Sequence, residues 1–173
     1  MKRSLVTTAI FALLATPAIL AAPGHTDATV STSRYPTNIS IGPAMYIPGG
    51  DTALPGFALS IATPATGDYP LYVGVDTGFY FATGAEFAGN IPVLATMYIE
   101  FAHGSKVSPL MGVSAGPSFG VGRDARPAVF GMVFKPGLNI SLSNSLSLNI
   151  ESRVGVLGST FVFLPQITAA FLL

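Results

Sequence analysis

The chain contains no cysteine and no tryptophan. Without cysteine there is no disulfide, no thiolate zinc site and no cysteine nucleophile. Charge is scarce as well: Asp, Glu, Lys and Arg make up 9% of the 173 residues and the formal net charge is zero, whereas soluble domains carry about 25% charged residues. Such a surface does not suit bulk water. No basic cluster follows Lys2 and Arg3, so the electrostatic footprint that nucleic acid requires is missing and nucleic acid is excluded as a partner. His25 and His103 are the two histidines and lie far outside metal-ligand spacing; no metal and no cofactor are expected. Amphipathic helices are missing too. Beyond Thr29 no segment keeps apolar residues at i, i+3, i+4 and i+7 for more than about a turn.

What the chain has instead is hydrophobic residues, at 50%, with 19 Gly and 14 Pro. Disordered chains are poor in apolar residues and rich in charge, so disorder is excluded. Lys2 and Arg3 precede an apolar run from Leu5 to Leu20, followed by the small residues Ala21 and Ala22. This is the layout of a secretory signal peptide over residues 1–22, with the cut falling as late as residue 28. A retained membrane helix needs about 20 apolar residues; this run is shorter and contains Pro17.

From residue 29 to 173 the dominant period is two, the mark of half-buried strands. Ile39, Ile41, Met45 and Ile47 alternate with Ser40, Gly42, Ala44 and Tyr46. Phe57, Leu59 and Ile61 follow, then Leu71, Val73, Val75, Phe79 and Phe81 against Tyr72, Gly74, Asp76, Gly78 and Tyr80. The same alternation runs through 91–102, 108–122, 127–142, 146–156 and 161–173, with Gly, Pro, Asn, Asp and Ser clusters between the runs. These are eight candidate strands; the second, Phe57 to Thr63, is short.

Charge placement decides which solvent meets the apolar face. Of the thirteen charged residues beyond Thr29, Asp76, Glu100, Lys135, Glu151 and Arg153 lie within strands, all on the face opposite the apolar one. The others fall at strand ends or in loops. A soluble sandwich turns its polar face to water and covers it with Lys and Glu. Here the polar face is mostly Gly, Ser, Ala, Thr and Tyr, which suits a narrow interior. Apolar outside and polar inside is the arrangement of a transmembrane barrel. In lipid every strand edge must be hydrogen-bonded, so the sheet closes. The expected fold is all-β, a closed antiparallel eight-stranded transmembrane β-barrel. A C-terminal membrane helix over 154–173 is opposed by Gly155, Gly158 and Pro165 and by the period of two.

The chain resembles the small outer-membrane β-barrels of Gram-negative bacteria, of the OmpA and OmpX type. The resemblance covers the mature chain and is one of pattern. Its most specific element is the C-terminal strand, in which Phe161, Phe163, Ile167, Phe171 and Leu173 alternate with smaller or polar residues. The resemblance implies that this strand is the signal read by the outer-membrane assembly machinery, although Leu173 stands where a terminal aromatic is commoner. It also implies an outer-membrane location, periplasmic termini, and outer-membrane lipids and lipopolysaccharide as neighbours.

Candidate chemistry is thin. His103-Gly104-Ser105 after Glu100 resembles the His-x-Ser element of outer-membrane lipid A deacylases, in which His activates Ser for attack on an ester; the same residues also compose an ordinary turn. The glycines of Gly116 to Gly122 lack the Lys-Ser/Thr ending of a phosphate loop and precede no helix. The inward charges form either an ion path or a buried network. An eight-stranded barrel is just wide enough for its own side chains, so Asp76, Glu100, Lys135, Glu151 and Arg153 are expected to pair with one another as a lumen charge network. The expected role is non-enzymatic, structural or surface-interaction work. A narrow pore or small-solute channel and a lipid A-modifying enzyme are the alternatives.

Overall fold

The computed structural model describes residues 35–49, 53–66, 69–82, 88–122 and 127–173. The chain separates into two units, Met1–Thr32 and Ser33–Leu173. The expected signal peptide belongs to the first and lies outside the described residues.

Eight strands follow one another: β1 (Asn38–Pro48), β2 (Leu54–Pro64), β3 (Leu71–Phe81), β4 (Ala88–Glu100), β5 (Val107–Gly122), β6 (Val129–Ser141), β7 (Leu146–Leu157) and β8 (Thr160–Leu172). Each pairs antiparallel with its sequence neighbours, and β1 pairs with β8, closing the barrel. At the seam the backbones of Thr37 and Leu173 exchange hydrogen bonds of 3.1 and 2.9 Å, so the two ends of the sheet satisfy one another. We call the end of the barrel that carries them the terminal mouth and the opposite end the far mouth.

The period of two becomes the two faces of the wall. Ile41, Phe57, Ile61, Met97, Met111, Met132, Phe134, Ile150, Ile167 and Phe171 are exposed on the outer face. Asp76, Lys135, Glu151 and Arg153 are buried inside. Every strand has at least 11 residues, enough to cross a bilayer at about 9 to 11 residues per span. The second strand is longer than its alternation indicates because Leu54, Pro55 and Gly56 pair with Tyr46, Met45 and Ala44. The C-terminal segment is β8, not a helix, and among the described residues no helix is long and apolar enough to cross a membrane.

Local chemistry shapes the turns and the wall. The connection from β7 to β8 is Gly158-Ser159, with Gly158 at φ +63°, the left-handed conformation that two-residue hairpins demand. Within β5, a Cβ on Gly116 would collide with the Val93 carbonyl. The glycine admits close approach of the neighbouring strand and belongs to the wall, not to a phosphate loop. On the outer face Thr77 donates its hydroxyl to the Pro92 carbonyl at 2.8 Å, so a polar group facing lipid finds a partner within the sheet.

Candidate functional site: the barrel lumen

The lumen is layered. Toward the far mouth lies an apolar ring of Ala44, Tyr46, Ala58, Tyr80, Leu94, Val133, Leu157, Val162 and Leu164. These residues come from β1, β2, β3, β4, β6, β7 and β8, so the ring closes nearly all the way round. Alternation assigned residues to the inner face without showing that these nine meet; the ring forms because barrel closure brings inward residues of seven strands together.

One step toward the terminal mouth, the charges gather. Arg153 and Glu151 are two apart on β7 and share a face: Arg153 donates to Glu151 Oε2 from Nε at 3.2 Å and from Nη2 at 3.1 Å. Arg153 Nη2 also lies 3.2 Å from Asp76 Oδ1. Lys135 Nζ stands 3.3 Å from Asp76 Oδ2 and 3.5 Å from Glu151 Oε2, and 4.7 Å from the centre of the Tyr98 ring. Two cations and two carboxylates thus cancel. They also tie β3 to β6 and β7, across the lumen from it.

Neutral groups complete the cluster. Gln166 Nε2 donates to Glu151 Oε2 at 3.0 Å, and Ser114 Oγ donates to Asp76 Oδ2 at 2.8 Å. Thr96 Oγ1 lies 2.9 Å from Ser114 Oγ. Charges this deeply buried are tolerable only with such partners. The sequence marked Gln166 as inward-facing; the signal that couples it to Glu151 is their direct pairing in the β7–β8 register.

Glu100 does not join this cluster, and the expected five-residue network is a four-residue one. Tyr98, the next inward residue on β4, takes the place beside Lys135 and stacks on Tyr72 with ring centres 4.9 Å apart. Glu100, at the terminal end of β4, accepts from Asn139 Nδ2 at 3.3 Å and meets His103 Nδ1 at 3.4 Å. The His103 ring packs edge-on against Tyr35 with centres 4.7 Å apart. Ser105 lies in the same turn, its amide bonded to the Ala102 carbonyl at 3.0 Å. Among the described residues, no group of three or more His, Asp or Glu is arranged to hold a metal ion.

The residues expected to form the C-terminal assembly signal lie along β8 and its end. Phe161, Ile167, Phe171 and Leu173 are exposed on the outer face, with Phe163 half-buried.

Fold and lumen together define a closed, eight-stranded membrane β-barrel with a filled interior. No family model and no curated protein matches the sequence. Solved structures do match in fold. Neisserial surface protein A superposes with a TM-score of 0.60 at 14% identity, covering 78% of this chain and 94% of its own. The outer membrane protein OprG from Pseudomonas aeruginosa gives a TM-score of 0.60 at 11% identity, covering 79% and 96%. The outer membrane enzyme PagL gives 0.50 at 15% identity, covering 79% and 99%. The chain shares the fold of small Gram-negative outer-membrane β-barrels, as its sequence pattern implied.

Proposed function

We propose that this chain is a non-conducting, non-enzymatic barrel of the outer membrane, with its termini in the periplasm and its far mouth at the cell surface, where it serves a structural or surface-interaction role. The observation that carries this reading is the lumen itself. An apolar ring drawn from seven strands lies in series with a charge-neutral, mutually paired cluster, and an ion would have to strip its hydration to pass either. Outer-membrane lipids and lipopolysaccharide surround the apolar belt in this reading. The outward residues of β8, Phe161, Phe163, Ile167 and Phe171, together with Leu173 just beyond it, are what the assembly machinery engages before insertion. A hydrolase would need a serine activated by a histidine; Glu100 and His103 supply an acid–histidine contact, but Ser105 is bound into a turn by its backbone.

Planar-bilayer recording of the refolded chain tests the proposal. A silent bilayer at protein levels that give full insertion is the expected result. Reproducible unitary openings would replace it with the channel reading.

A further inference from the structure

Beyond the apolar ring, the far mouth holds a cavity of about 280 Å³. Its floor is apolar and partly aromatic: Tyr46 and Leu157 belong to the ring, and Leu54 packs against it. Its wall is polar. Ser118, on β5, donates its hydroxyl to Asn90 Oδ1 on the adjacent β4, which fixes the Asn90 amide plane and leaves its NH2 group outside that bond. Ser159 and Thr160, which carry hydroxyl groups, join the lining where β8 begins.

The described lining disfavours two classes of ligand. Among the described residues, none of the lining side chains carries a charge at neutral pH, so an ionic ligand would lose its hydration there with none of them to neutralise it. A plain acyl chain would cover the Asn90 amide and the lining hydroxyls without replacing their water, at a cost for each. The site instead fits a molecule with an apolar face for the floor and hydrogen-bonding groups at its edge. The volume lies just below the usual range of drug-sized pockets, which is room for a single ring. Barrel mouths are a recurrent place for such sites.

We propose that the far-mouth cavity binds one neutral sugar unit. The C–H face of a pyranose rests on Tyr46 and Leu157, and its hydroxyls meet Asn90 and Thr160. The sugar comes either free or as part of a surface glycolipid. Only that question of source rests on the surface-facing orientation proposed above.

Saturation-transfer NMR with methyl glucoside tests the site, using the whole chain in lipid discs free of sugar-headed detergents. A saturable signal is expected in the wild type. Asn90→Leu and Thr160→Val should each weaken it by about fivefold, the worth of one neutral hydrogen bond. Ser105→Ala at the opposite mouth should leave it unchanged. All variants should keep the heat-dependent gel mobility of a closed barrel, which separates a lost site from a lost fold. Lipopolysaccharide in the discs that suppresses the signal identifies a glycolipid as the source; an unchanged signal identifies a free sugar. No saturable signal in the wild type, an equal signal in both site variants, or saturable hexanol binding without glucoside binding overturns the proposal. The titration is blind to orientation, so its failure would leave the non-conducting barrel reading in place.

Discussion

Glu151 shows how much one inward side chain holds. It accepts hydrogen bonds from Arg153 and Gln166 and lies within ion-pair distance of Lys135. Glu151→Leu would leave two buried cations sharing Asp76 and an amide without its acceptor. Removing one member of a buried ion pair costs about 3 to 5 kcal/mol, and a loss of that size is expected in denaturant unfolding of the refolded barrel. Wild-type stability in the variant would mean that the lumen solvates these charges, and would favour the pore. Glu100, by contrast, sits beside the half-exposed His103 at the terminal mouth. Its replacement by Gln preserves the acceptor for Asn139 and should cost well under half as much in the same assay.

At the scale of the element, β3 shows the principle of the wall. Tyr72, Asp76, Gly78 and Tyr80 are buried in the lumen, with Gly74 on the same face, while Val73, Val75, Thr77 and Phe79 face out. Val75 lies midway along the strand, paired with Ile61 on one side and Ala95 on the other. Val75→Arg should therefore place a guanidinium near the bilayer midplane, at a cost of about 2 to 4 kcal/mol. The penalty should shrink at Leu71 and Phe81, near the two ends of the same strand, and nearly vanish for Ser145→Arg in the exposed turn before β7. Equal tolerance at positions 75 and 145 in refolding titrations would mean that the outer face does not touch lipid.

For the whole molecule, closure is the main source of stability. All eight strands are paired on both sides, and the seam is locked by the reciprocal bonds of Thr37 and Leu173. Such a sheet offers no edge from which to peel. The folded chain is expected to run as a compact species on a denaturing gel until it is boiled, then to shift to its unfolded mobility. The same mobility before and after heating, together with helical circular dichroism, would be incompatible with a closed barrel.

The number of strands, their faces and the inward position of Asp76, Lys135, Glu151 and Arg153 were legible in the sequence, because alternation is a local property and a bilayer allows only a closed sheet. The first residues of β4, Ala88, Gly89 and Asn90, were not. They carry no apolar alternation and are held by backbone pairing with Gly122, Val121 and Gly120, which does not depend on side chains. Partnerships across the lumen were also hidden. Alternation says that a residue points inward but not at what level, and only barrel closure with its strand stagger brought Asp76 to Lys135 and Arg153. The same stagger set Glu100 apart with His103, and brought Leu94, Val133, Leu157 and Leu164 into one ring. Sequence decided which side of the wall each residue takes; tertiary structure alone decided which residues meet there, because the distance between nonadjacent strands is set by the closed sheet and by no local stretch of chain.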